Sequence, residues 1–159
     1  GDVAREENDV SDARLHYEQS LRAFQELGDK WGIGGSLADL GNLARDQEDF
    51  ATAESLYHQS LSMFHELAHK RGMARLLECL ACLAASQLQP ERSLRLAGAA
   101  AALRKTIGAP LTPDEQARLE EILEPARQKT TQGAKAWLDG WVLPLEKAVE
   151  EALTSTAQE

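Results

Sequence analysis

Apolar residues fall three and four residues apart over most of this chain, the spacing of helices that bury one face. Leu37, Leu40, Leu43 and Ala44 form one such row, and Ala53, Leu56, Tyr57, Leu61 and Phe64 another. Asp49 stands before Phe50, placed to cap the helix that follows, and Asp9 holds the same place earlier in the chain. Gly28, Gly32 and Gly72 punctuate helix ends. The pattern predicts helices at about 11–27, 33–47, 50–67, 72–87 and 90–107, with Pro90 in the first turn of the last. Thr112 and Glu115 read as a capping box around Pro113, opening a helix of about 113–129 that Pro125 is expected to kink or divide. A short helix near 132–139 carries Trp137. Pro144 then opens a final helix with Leu145, Ala148, Val149 and Leu153 on one face.

The rows repeat. Residues 1–33 laid over residues 41–73 match identically at fourteen positions, among them Gly1/Gly41, Ala13/Ala53, Tyr17/Tyr57, Ser20/Ser60, Leu21/Leu61, Phe24/Phe64 and Gly32/Gly72. So many identities at one offset mark a duplicated two-helix unit. A third copy fades but keeps Leu37/Leu77, Leu40/Leu80, Leu43/Leu83 and Ala44/Ala84, as a terminal repeat turning into a cap should. Gly1 aligns with Gly41, so the first copy is expected to begin partway through a helix and to leave apolar surface on helix 11–27 uncovered. Either self-association through that end or fraying there is expected to follow.

Within a copy, Leu37-x-x-Leu40-Gly41-x-x-Ala44 followed by Ala53-x-x-x-Tyr57 resembles the tetratricopeptide repeat. The fold class that follows is all-α: a right-handed α-solenoid of tetratricopeptide-like hairpins over residues 1–107, closed by a C-terminal helical cap over 108–159. Trp137, Trp141, Leu145 and Val149 are expected to cover the apolar end of the last repeat. Over nearly its whole length, most specifically in GAAAALRKTIGAPL and LPLEKAVEEAL, the chain resembles the C-terminal region of large bacterial multidomain signal-transduction ATPases and LuxR-type transcriptional regulators. The resemblance implies a nucleotide-binding module, often with a helix-turn-helix or cyclase module. No residue here matches a phosphate-binding loop, a DNA-reading helix or a cyclase site, so those modules are expected upstream.

Composition narrows the classes further. The 159 residues suffice for one core, with 43% hydrophobic and 27% charged positions. Seventeen Lys and Arg against 26 Asp and Glu leave a net charge of −9, which disfavours coating nucleic acid or an anionic membrane. Arg92, Arg95 and Arg104 interrupt the most hydrophobic stretch, well short of the ~20 apolar residues of a membrane span. Two cysteines make no disulfide framework, and a reducing, cytoplasmic setting is expected. Charge is uneven: residues 51–107 carry seven basic and four acidic groups, between acidic flanks. Arg71, Arg75, Arg92, Arg95, Arg104 and Lys105 either form a patch for an acidic partner or pair with neighbouring acidic helices.

Sites of chemistry are hard to find. Cys79-x-x-Cys82 would need a helix N-terminus to lower a thiol pKa, and it falls in the middle of a helix. A zinc site drawing on His65 and His69 lacks a known finger spacing. Gly32-Ile33-Gly34-Gly35 lacks the Lys-Ser/Thr of a phosphate cradle, and the histidines at 16, 58, 65 and 69 have no paired nucleophile. No catalytic residue, metal or cofactor is expected. What the tetratricopeptide resemblance does imply is a concave, partner-binding face carrying Ala38, Asn42 and Arg45 from one repeat and Arg75, Glu78 and Cys82 from the next. Asn42 suits a hydrogen bond to an extended peptide backbone. The functional expectation is a non-catalytic scaffold for protein–protein interaction, its partner a separate protein or peptide or the upstream domains. A small-ligand sensor using the groove is the alternative.

Overall fold

The computed structural model describes residues 2–154, so Gly1, on which the register of the first copy partly rests, lies outside the described residues. Among the described residues the chain is entirely helical, with eight helices and no strand: α1 (Asp2–Leu27), α2 (Lys30–Asp46), α3 (Phe50–Glu66), α4 (Lys70–Ser86), α5 (Pro90–Ile107), α6 (Pro113–Gln128), α7 (Gly133–Trp141) and α8 (Leu145–Leu153). Helices α2 to α5 begin at Lys30, Phe50, Lys70 and Pro90, a spacing of twenty residues. The joints keep the same beat. Gly28, Glu48, Ala68, Leu88 and Gly108 all adopt positive φ, between 52° and 68°, and each ends the helix before it. Side-chain caps start the next: Asp29 accepts from the Gly32 amide, Asp49 from Thr52 and His69 Nδ1 from Gly72.

Glycine sets the spacing between helices. A methyl group on Gly41 would sit 2.6 Å from the Tyr57 ring, so α3 lies closer to α2 than any other residue there would allow. Phe24 covers Gly32 and, forty residues on, Phe64 covers Gly72. The principal core gathers Tyr57, Leu61 and Phe64 from α3, Leu76, Leu77 and Leu80 from α4, Leu96 and Leu103 from α5, and Leu123 and Val149 from the C-terminal helices.

The C-terminal helices wrap the array. α6 lies on α4 and α5, α7 along α5, and α8 reaches past them to α3. At the α5–α7 crossing Gly98 faces the Trp137 carbonyl and Gly140 the Arg95 carbonyl, so the two backbones touch. Of the four residues expected to cover the last repeat, Val149 is buried and Trp137 and Leu145 pack at the core edge. Trp141 stacks on Trp137 at 5.1 Å, with the Lys105 ammonium over its ring.

Helix ends differ from the pattern in several places: Gly32 and Gly72 do not end helices but lie in the first turns of α2 and α4, under Phe24 and Phe64. No helix starts at Asp9: α1 runs unbroken from Asp2, with Asp9 in its interior. The turn at Gln47–Asp49 is held by α2 packing on α3, whereas residues 2–9 of α1 are all exposed and keep their backbone hydrogen bonds by continuing the helix. Pro125 does not divide α6 either. It lies three residues from the helix end, where one missing amide is tolerated and Leu123 and Ala126 are buried on either side.

Candidate functional site

A half-open groove of about 480 Å³ runs across the first turns of α2 and α4. α1 borders it with His16, Tyr17, Ser20 and Phe24, and α2 with Trp31, Gly35 and Asp39. α4 supplies Arg71, Arg75 and Glu78, while Arg104 of α5 and the Pro110–Glu115 segment close the far end. Helical spacing aligns these groups: positions 31, 35 and 39 are four apart, so α2 presents one stripe.

The groove divides chemically. Near α1 it is aromatic, with Phe64 and His69 ring centroids 5.4 Å apart and Trp31 leaning over His69 at 6.3 Å. Near α5 it is ionic. Arg75 donates to Asp39 at 2.6 Å, tying α4 to α2. Arg104 grips both carboxylate oxygens of Glu78, one of them at 2.8 Å, and also donates to the Ala109 carbonyl at 3.0 Å. Only 11% and 13% of those two side chains is exposed, and the bidentate bonds raise the Arg104 pKa above its ordinary value. Hydrogen bonds from the Thr112 backbone and hydroxyl region, with a smaller contribution from Arg104 and Arg71, hold the Glu115 carboxyl below its usual range.

The six residues expected on the partner face part company. Arg75 and Glu78 line the groove. Ala38 and Cys82 are buried. Asn42 accepts a hydrogen bond from the Tyr57 hydroxyl at its Oδ1. Arg45 lies beside Asp46 at 3.6 Å with 16% of its side chain exposed. The pattern misses most of the lining, Gly35 and Asp39 of α2 included, and a signal for Gly35 exists: it stands forty positions before Arg75 and shares its face with Asn42, seven residues on.

The basic stretch is largely paired internally. Arg95 binds Glu151 through two nitrogens at 2.7 and 2.8 Å, and Arg92 donates to the Ala152 and Thr154 carbonyls. The two thiols sit in the interior of α4, and burial pushes that of Cys79 up to about 12. No cluster of three or more His, Cys, Asp or Glu able to hold a metal occurs among the described residues, and none of their helices is long and apolar enough to cross a membrane. No protein-family model matches the chain, and neither a curated protein nor a solved structure does.

Proposed function

We propose that the chain is a non-catalytic helical-repeat scaffold that holds a protein or peptide partner in the groove across α2 and α4. One observation carries this reading: the groove is half open to solvent, and its charged floor is already satisfied by the Asp39–Arg75 and Glu78–Arg104 pairs. Carboxylates locked in this way are poor general bases, yet their edges still offer hydrogen bonds to an extended backbone. A small-ligand sensor would call for an enclosed apolar pocket with a few convergent polar groups, and this groove is half open and ionic.

A tetratricopeptide-like right-handed solenoid is the architecture that best accounts for the twenty-residue spacing of helix starts and joints and for the recurrence of the Phe24–Gly32 contact at Phe64–Gly72. On that reading residues 108–159 are its cap. The quoted segments further favour the cytoplasmic C-terminal sensory or assembly region of a bacterial signalling ATPase or LuxR-type regulator, whose upstream modules then count among the partners. Direct contact with nucleic acid fits poorly with a net charge of −9 and with Arg75, Arg95 and Arg104 engaged by carboxylates.

Gly35 gives the test, since a Cβ added there meets nothing within 4 Å and the position faces the groove. Gly35→Trp should fill the groove and leave the fold intact. Decapeptides selected on the chain from a random display library should lose binding to this variant by about tenfold or more, roughly 1.4 kcal/mol. Binders indifferent to Gly35→Trp would place the contact elsewhere and overturn the reading.

A further inference from the structure

Helix α3 meets the helix before it through three side chains. The Tyr57 ring lies on Gly41 and its hydroxyl donates to Asn42; the Ser60 hydroxyl donates to the Gly34 carbonyl at 2.7 Å; the Phe64 ring abuts Gly34. All three are buried. Forty residues earlier α1 carries the same side chains, Tyr17, Ser20 and Phe24, and no residue of α1 is buried. Among the described residues, neither the Tyr17 nor the Ser20 hydroxyl has a hydrogen-bond partner.

The register also names what would cover Tyr17. Asn8 stands where Glu48 turns with φ 61°, and Asp9 where Asp49 caps α3. Asparagine enters that left-handed conformation more readily than glutamate does. Asp2 stands where Asn42 accepts the tyrosine hydroxyl, and Gly1 where Gly41 receives the ring. A helix break, a cap and an acceptor are thus present in sequence inside the first turns of α1, with a glycine just before them in the chain.

We propose that residues 2–8 are the second half of a helix of the α2 kind, which folds back against Tyr17 when a helical segment in the same polypeptide leads into it, and that this leading segment, where it matches Gly34, covers Ser20 and Phe24. α1 then breaks at Asn8, Asp9 becomes an N-cap, and Asp2 accepts the Tyr17 hydroxyl. Residues 2–9 are all exposed, so little packing is lost when they leave α1. The inference rests on the groove being a contact surface and commits its α1 end to this helix.

The test extends the full chain by a second copy of residues 29–40 placed directly before Gly1, which restores the register. In the unextended chain Tyr17→Ala should barely move the melting temperature. In the extended chain it should lower it as much as Tyr57→Ala does, and amide exchange over residues 13–24 should slow about tenfold or more. An equal, small effect of Tyr17→Ala in both chains would overturn the proposal, as would added residues that contribute no helical ellipticity. The Gly35→Trp test uses the unextended chain, so the two readings fail separately.

Discussion

Helices α1 and α3 present the same apolar face and gain very different amounts from it. Ala13, Tyr17, Leu21 and Phe24 repeat Ala53, Tyr57, Leu61 and Phe64 at one offset. In α3 the first three are fully buried and Phe64 is 3% exposed; in α1 none is buried. The residues are identical and the neighbours are not: α3 lies between α2 and α4, whereas α1 has α2 alone as a close partner. Removing a large side chain from water is worth about 1.5–3 kcal/mol, so a shared motif does not mean a shared contribution to stability. The pattern decides which face is adhesive, and the next helix decides whether that adhesion is used.

The most direct way to break the comparison is a matched pair of truncations. Tyr57→Ala should destabilise by about 3–5 kcal/mol, lowering the melting temperature by roughly 10 °C, while Tyr17→Ala should cost less than about 1 kcal/mol. Equal shifts in a thermal melt followed by circular dichroism would mean that α1 is covered in solution. Adjacent glycines sharpen the point with opposite signs. A methyl on Gly34 would lie 2.8 Å from the tip of the Phe64 ring, and one on Gly35 meets nothing. Gly34→Ala should lose about 1–3 kcal/mol, whereas Gly35→Ala should gain about 0.5–1 kcal/mol from helix propensity, both read by urea titration.

Hydroxyl deletions probe the same difference at smaller scale. Ser60→Ala removes the bond to the Gly34 carbonyl and should cost about 1 kcal/mol; Ser20→Ala should be silent in the same titration. The smallest effect is one of pH. His58 of α3 replaces the half-buried Glu18 of α1, and burial, opposed in part by Glu54, lowers its pKa from 6.5. The folded chain therefore binds that proton less readily than the unfolded one. This contribution is intact above 6.5 and is lost as pH falls below it. Melting temperature should fall across that window, and His58→Gln should flatten part of the slope.

Much of the fold is legible in the residues because local signals agree. Asp49 and the Thr112–Glu115 pair start helices where they stand, and Pro90 opens α5. Asp9 offers the same signal as Asp49 and starts nothing, because the packing that holds the later turn is missing there. The groove is only half legible. Arg75 and Glu78 follow from the repeat, but Asn42 and Cys82 are drawn inward by Tyr57 and by the core, and no spacing rule reports that. Asp39 is recognisable only once Arg75 is seen to reach across to it.

The glycine crossing of α5 and α7 bears on how the molecule carries mechanical load. Where Gly98 and Gly140 bring two backbones together, attraction is short-ranged, and a gap of about 0.5–1 Å forfeits a quarter to a half of it. The Arg95–Glu151 pair between α5 and α8, with more than a third of each side chain exposed, acts through a field that decays over about 8–10 Å. Under tension on the C-terminal end the ionic tether yields by degrees, while the glycine seam stays rigid and then parts at once.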